Sequence, residues 1–185
     1  EAKNLNPLTN LPGNRIIKEE IEKRISASQS FSFLYIDLDN FKAYNDCYGY
    51  QKGDQIINFT AKVLKESVSD VGDSSDFIGH IGGDDFVIIT HYSRDEILSQ
   101  AVIDKFNNGI NKFFNSTDQK RGHMLIEDKQ GKNYKTPLTT LSIAIVSDRT
   151  TKIESPIEVS DIAAEIKKEA KKFSFSNFLK RKKNV

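Results

Sequence analysis

Among 185 residues there is one cysteine, one methionine and no tryptophan. The single thiol, Cys47, excludes an internal disulfide and fits a reducing compartment. No apolar run approaches the roughly 20 residues a membrane helix needs, and no signal peptide is visible. A surplus of one charge sign is missing too. With 27 Lys and Arg against 26 Asp and Glu, the formal net charge is +1. No global field therefore points to nucleic acid or to a membrane surface. Internal repeats and low-complexity segments do not stand out. The chain opens on Glu1 rather than methionine. That reads as a cytoplasmic domain from a longer protein, which is expected to carry sensory or regulatory parts and any membrane segment elsewhere.

Hydrophobic residues make up 37% and charged residues 29%, the balance of a globular protein with one core. The expected organisation is a linker and lead-in motif over 1–12, one domain over 13–175, and a basic tail over 176–185. The tail holds the run Lys180-Arg181-Lys182-Lys183.

Periodicity sketches the elements. Ile16, Ile17, Ile21 and Ile25 predict a helix over 13–27, and the run Phe31 to Ile36 a buried strand ending at Asp37. A short helix over 40–48 contains Cys47, and a longer one over 53–67 carries Ile56, Ile57, Phe59, Val63 and Leu64 on one side. Two apolar runs around Gly82-Gly83 predict a hairpin. A helix over 94–115, a small hairpin over 122–136, a strand over 139–146 and a helix over 156–172 complete the order. Such alternation with central hairpin strands predicts an α+β fold, a central and mostly antiparallel sheet flanked by helices.

The chemistry lies in the acids. Asp84 and Asp85 leave the hairpin turn, and Asp37-Leu38-Asp39 closes the strand before it. If the two strands lie side by side, Asp37 and Asp84 converge at one rim. Converging hard oxygens suit Mg²⁺ or Mn²⁺ and phosphoryl transfer. Asn45 and Asp54 flank a Gly49–Gly53 loop, where an amide and a carboxylate can meet the donor edge of guanine. Lys42 follows the strand within reach of phosphates. Lys168 and Lys172 are four residues apart, hence on one helical face, and can offer two cations to a triphosphate. Each feature has a plainer reading as a solvated acid, a turn or a surface lysine.

Together these segments resemble the GGDEF family, the diguanylate cyclases. The likeness rests on Leu8-Thr9-Asn10-Leu11-Pro12 with Asn14-Arg15, and on Asp37-Leu38-Asp39-Asn40-Phe41-Lys42 with Tyr44-Asn45-Asp46. It continues through Tyr48-Gly49-Tyr50 to Gly53-Asp54 and Gly82-Gly83-Asp84-Asp85-Phe86. It implies a fold like the palm of adenylyl cyclases and polymerases, with a ferredoxin-like core. It also implies synthesis of cyclic di-GMP from two GTP molecules in a transient antiparallel homodimer. On this resemblance Asp37, Asp84 and the Leu38 carbonyl hold Mg²⁺, and Asp85 helps deprotonate the attacking 3′-hydroxyl. Asn45 and Asp54 read guanine, while Phe41, Lys42, Lys168 and Lys172 meet the triphosphate. No nucleic-acid partner is implied.

The chain also departs from the family pattern. Asp85 stands where Glu is usual, one methylene shorter, and a displacement of about 1 Å can cost about a hundredfold in rate. His80 replaces an Arg two residues before Gly82, and Lys172 an Arg in the last helix. The Arg-x-x-Asp product-inhibition motif reads Asp73-Ser74-Ser75-Asp76, so feedback through that site is not expected. Three classes follow: a working cyclase, a module that binds GTP or cyclic di-GMP and regulates an attached domain, and a dimerisation scaffold.

Overall fold

The computed structural model of the protein describes residues 4–181. In chain order the elements are α1 (Asn14–Ser26), β1 (Ser32–Leu38), α2 (Phe41–Tyr48), α3 (Tyr50–Val71), β2 (Phe77–Gly82), β3 (Asp85–Thr90), α4 (Asp95–Ile110), α5 (Ser116–Arg121), β4 (His123–Glu127), β5 (Asn133–Pro137), β6 (Leu141–Ser147), α6 (Pro156–Ala170) and β7 (Asn177–Lys180). Five strands form one sheet in the order β2-β3-β1-β6-β7, and β4 with β5 makes a separate hairpin. In the main sheet only the β6–β7 pairing is parallel. This is the α+β architecture that the periodicity predicts. No helix among the described residues is long and apolar enough to cross a membrane.

Strand β1 sits at the centre because it is apolar on both faces, and its period of two sorts the core. Leu34, Ile36 and Leu38 join Phe86, Ile88, Ile143 and Ile145 in a cluster that Ile56, Leu64, Leu98 and Phe106 of α3 and α4 close. Phe33 joins Val87, Ile89, Ala144 and Val146 on the opposite face, under Ile17, Ile21, Val159 and Ile166 of α1 and α6. Truncating a wholly enclosed residue such as Ile36 to Ala would cost about 2–5 kcal/mol. The alternation places Tyr35 and Asp37 on the α1–α6 side, with Asp37 at the strand's end.

Helix α6 is well punctuated. The Ser155 side chain accepts from the Glu158 N–H, Pro156 occupies the first turn, and Lys167 and Lys168 stand in the last. Helix α3 starts earlier than its apolar stripe suggests, at Tyr50, with Gly53 buried in its first turn.

Both termini correct the expected organisation. Residues 177–180 are no tail but β7, parallel to β6. Lys180 Nζ lies 2.8 Å from Asp95, a buried carboxylate that also accepts the Ser32 hydroxyl at 2.6 Å. Arg181 pairs with Glu165. The basic run resembles a solvated tail only until its acidic partners are known; Lys182 and Lys183 lie outside the described residues. At the other end, Leu5 bridges to Pro12, and Thr9 and Leu11 are buried. The lead-in segment is therefore folded onto the domain. Cys47 is exposed because α2 turns Tyr44 into the core instead.

Candidate active site

The turn between β2 and β3 carries the first acids. Gly82 has φ +144° and Gly83 φ +53°, conformations that side chains other than glycine adopt only with strain. A bulge between His80 and Gly82 bends the strand into this turn. The Asp84 carbonyl accepts the Leu38 N–H at 3.2 Å, tying the turn to the end of β1.

His80 braces the turn from behind. Its Nε2 lies 2.9 Å from the Gly83 carbonyl, which can only accept, so Nε2 carries the proton. Nδ1 is then free to accept the Thr9 hydroxyl at 2.9 Å. Burial holds the imidazole below its usual pKa, in keeping with one neutral tautomer. The ring stacks on Phe86, centroids 4.2 Å apart.

Register places Asp37 directly opposite Asp85 across the β1–β3 ladder. One oxygen from each of Asp37, Asp84 and Asp85 lies within 4.8 Å of the others. Burial and the Asp37 charge raise both neighbours, and Asp85 is pushed up to about 6. Its Oδ1 is buried without a hydrogen-bond partner among the described residues. The Tyr35 hydroxyl lies against this carboxylate. Burial first, then the charge of Asp85, pushes that phenol well above its ordinary range.

Two lysines of α6 answer these acids. Lys167 Nζ lies 3.0 Å and Lys171 Nζ 2.9 Å from Asp37 Oδ2, and Lys171 also lies 3.0 Å from Asp39. Burial would push the Lys171 ammonium down, but its bonds to Asp37 and Asp39 outweigh that and hold it above its ordinary range. The expected pair, Lys168 and Lys172, is not brought to this site. Lys168 is exposed, and Lys172 pairs in solvent with Glu169 at 2.9 Å. The phase of α6 is set by Val159, Ala163, Ile166 and Ala170, which pack on the sheet. That stripe turns Lys167 and Lys171 toward the acids, one position earlier. Read at helical spacing, it was the signal that would have found them.

The α2–α3 face is built differently. A Cβ on Gly53 would stand 1.9 Å from Asn45 Oδ1 and 3.3 Å from the tip of the Phe41 ring. Only glycine allows that approach. Asn45 Oδ1 is buried with no partner among the described residues, a state costing about 1–3 kcal/mol unless a donor arrives. Asp54 and Lys42 are exposed in the first turns of α3 and α2.

Other acids and cations have structural duties. The enclosed Asp76 carboxylate bonds Arg94 at 3.1 Å and the Asp73 N–H at 2.9 Å. Asp118, the buried residue of α5, accepts from Tyr48 and Arg121.

A family model described as "Diguanylate cyclase, GGDEF domain" matches residues 3–173. The chain belongs to the GGDEF family. Its signature is the Gly82-Gly83-Asp84-Asp85-Phe86 turn described above. Curated relatives include Signaling protein YkoW of Bacillus subtilis, 34% identical over 108 residues, which are 54% of this chain and 13% of that protein. A diguanylate cyclase of Vibrio cholerae is 36% identical over 81 residues, 42% of this chain and 24% of that protein. The chain thus spans less than a quarter of either relative. Among solved structures, diguanylate cyclase SiaD of Pseudomonas aeruginosa, in complex with its activator SiaC, aligns with TM-score 0.68. It shares 18% identity, over 98% of this chain and 63% of that one. The GGDEF domain of DgcB from Caulobacter crescentus, in complex with c-di-GMP, aligns with TM-score 0.65 at 16% identity, over 97% and 96%. At such identities the likeness is one of fold.

Proposed function

We propose that this GGDEF domain is a diguanylate cyclase, joining two GTP molecules into cyclic di-GMP with release of two pyrophosphates. The observation that carries the reading is the cluster of Asp37, Asp84 and Asp85 within 4.8 Å. Three converging carboxylates, one with a buried unpartnered oxygen, are a donor set fit for a hard divalent cation. Asp37, Asp84 and the Leu38 carbonyl would hold Mg²⁺ or Mn²⁺, which when bound supplies charge neutralisation at the phosphates.

The chain's own residues do the rest. Asn45 Oδ1 and the Asp54 carboxylate accept from the donor edge of guanine, with the Phe41 ring beside them. Lys42, Lys167 and Lys171 neutralise the triphosphate. Asp85, held near 6 by burial and by Asp37, takes the proton of the 3′-hydroxyl. The freed oxygen bonds to the α-phosphorus of the second GTP as its bond to pyrophosphate breaks. One domain offers one such site, so ring closure requires two copies facing one another.

A second reading, a domain that binds GTP or cyclic di-GMP without turnover, is favoured by one observation. Asp85 is one methylene shorter than the family's usual Glu and lies against Tyr35. Incubation of the protein, once verified as a dimer, with GTP and Mg²⁺ tests the choice. Cyclic di-GMP with pyrophosphate is the expected result; saturable GTP binding without either product would leave the second reading.

A further inference from the structure

Asp37 Oδ2 is bonded by two ammonium groups at once, Lys167 at 3.0 Å and Lys171 at 2.9 Å. A divalent cation arriving at this carboxylate competes with both for its negative charge. Lys167 has a second resting place, with Nζ 4.9 Å from the centroid of the Tyr35 ring. Lys171 has a stronger one in Asp39, at 3.0 Å. Asp39 itself is fixed. It is 7% exposed, accepts the Ser142 and Thr140 hydroxyls at 2.8 Å, and donates its N–H to the Thr140 carbonyl at 2.8 Å. Breaking a buried ion pair by removing one partner is strongly destabilising, because the other charge is left without compensation. An ammonium shared between two carboxylates avoids that penalty when one is taken away.

We propose that Asp39 is a positioning residue that holds Lys171 as an exchangeable counter-ion of Asp37. In the free protein Lys171 bridges the two acids and offsets the repulsion at the rim. When a divalent cation binds Asp37, Lys171 stays on Asp39 with its remaining protons turned to the arriving phosphates. The inference rests on the cation site of the proposed function, and adds a residue to it.

The test is Mn²⁺ binding by the whole chain without nucleotide, followed by electron paramagnetic resonance of the free ion. Wild-type protein should bind Mn²⁺, and Asp37→Asn should not; failure of that comparison overturns the cation site itself. Given binding, Lys171→Met removes the competitor and should tighten Mn²⁺ about tenfold, a 1.4 kcal/mol change. Asp39→Asn leaves Lys171 on Asp37 alone and should weaken it by a similar factor. Asn retains an acceptor for Ser142 and Thr140, so the fold should survive, as circular dichroism can check. The decisive measurement is the double variant, Asp39→Asn with Lys171→Met. It should bind like Lys171→Met if Asp39 works through the lysine. Equal weakening by Asp39→Asn in both backgrounds would reduce Asp39 to a distant negative charge and overturn the proposal. Should Asp39→Asn fail to fold, unchanged or weaker Mn²⁺ binding in Lys171→Met overturns it alone.

Discussion

At the acid rim, Asp37 and Asp39 meet Lys167, Lys171, Thr140 and Ser142 within the chain. On the α2–α3 face, Asp54 and Lys42 make no ion pair among the described residues, and Asn45 leaves a buried oxygen unmatched. Clustered like charges repel unless the fold supplies its own cations, so Asp37 and Asp39 are paired before any ligand arrives, while Asp85 keeps a buried oxygen without a partner among the described residues. A single amide and two exposed charges impose no such demand. For the proposed chemistry the rim has to exchange partners, whereas the α2–α3 face has only to acquire them.

The largest effect that breaks this contrast is expected at Asp84. Asp84→Ala should lower pyrophosphate release by about 10³-fold, several kcal/mol of transition-state stabilisation. The same change should raise the melting temperature of the metal-free protein by about 2–5 °C, because one repelling charge is gone. Asn45→Ala strikes the other region: GTP affinity should fall about tenfold, with Mn²⁺ binding unchanged in titrations of the same sample. Gly53→Ala should also weaken GTP severalfold by pushing Asn45 aside. Its melting temperature should not rise, although Ala favours a helix interior over Gly by about 1 kcal/mol.

A smaller, pH-dependent effect separates the regions again. The folded-state pKa of Asp85 is raised to about 6 from 3.8, by burial and then by Asp37. A raised carboxyl pKa means the folded state binds the proton more tightly than the unfolded one. Its charge therefore destabilises the metal-free fold above about pH 6, and that burden disappears as pH falls from 6 toward 4. Asp85→Asn should melt higher than wild type at pH 7.5, with the difference shrinking by pH 5. A constant difference across that range would show that Asp85 carries no such burden. The smallest effect belongs to Lys172→Ala, an exposed pair with Glu169, which should change GTP affinity less than about twofold.

Most of this fold was legible in the chain. The helices over 14–26 and 156–170, the strand at 32–38 and the hairpin at 77–90 are strongly periodic or apolar, and tertiary context only trimmed their ends. The acids were legible because residue type and strand ends alone bring Asp37 and Asp84 to one rim. Strand β7 was not, because four residues running into basic ones carry no periodicity and gain their place from pairing with β6, from Phe178 and Leu179 against the two cores, and from Asp95 and Glu165. The α6 lysines were misplaced by one position, since i,i+4 spacing names a pair but not the face it occupies. Asp39 was seen as part of an acidic cluster, yet its partners Thr140, Ser142 and Lys171 lie a hundred or more residues away.

The imidazole of His80 gives the domain a mechanical property. It spans from the Thr9 hydroxyl to the Gly83 carbonyl, while the backbone N–H of the same residue donates to the Pro12 carbonyl at 2.8 Å. The ring acts as a strut between the lead-in loop and the turn whose next residue is Asp84. Force applied along residues 5–12 is transmitted by one rigid, neutral, stacked ring to the peptide that aims a carboxylate.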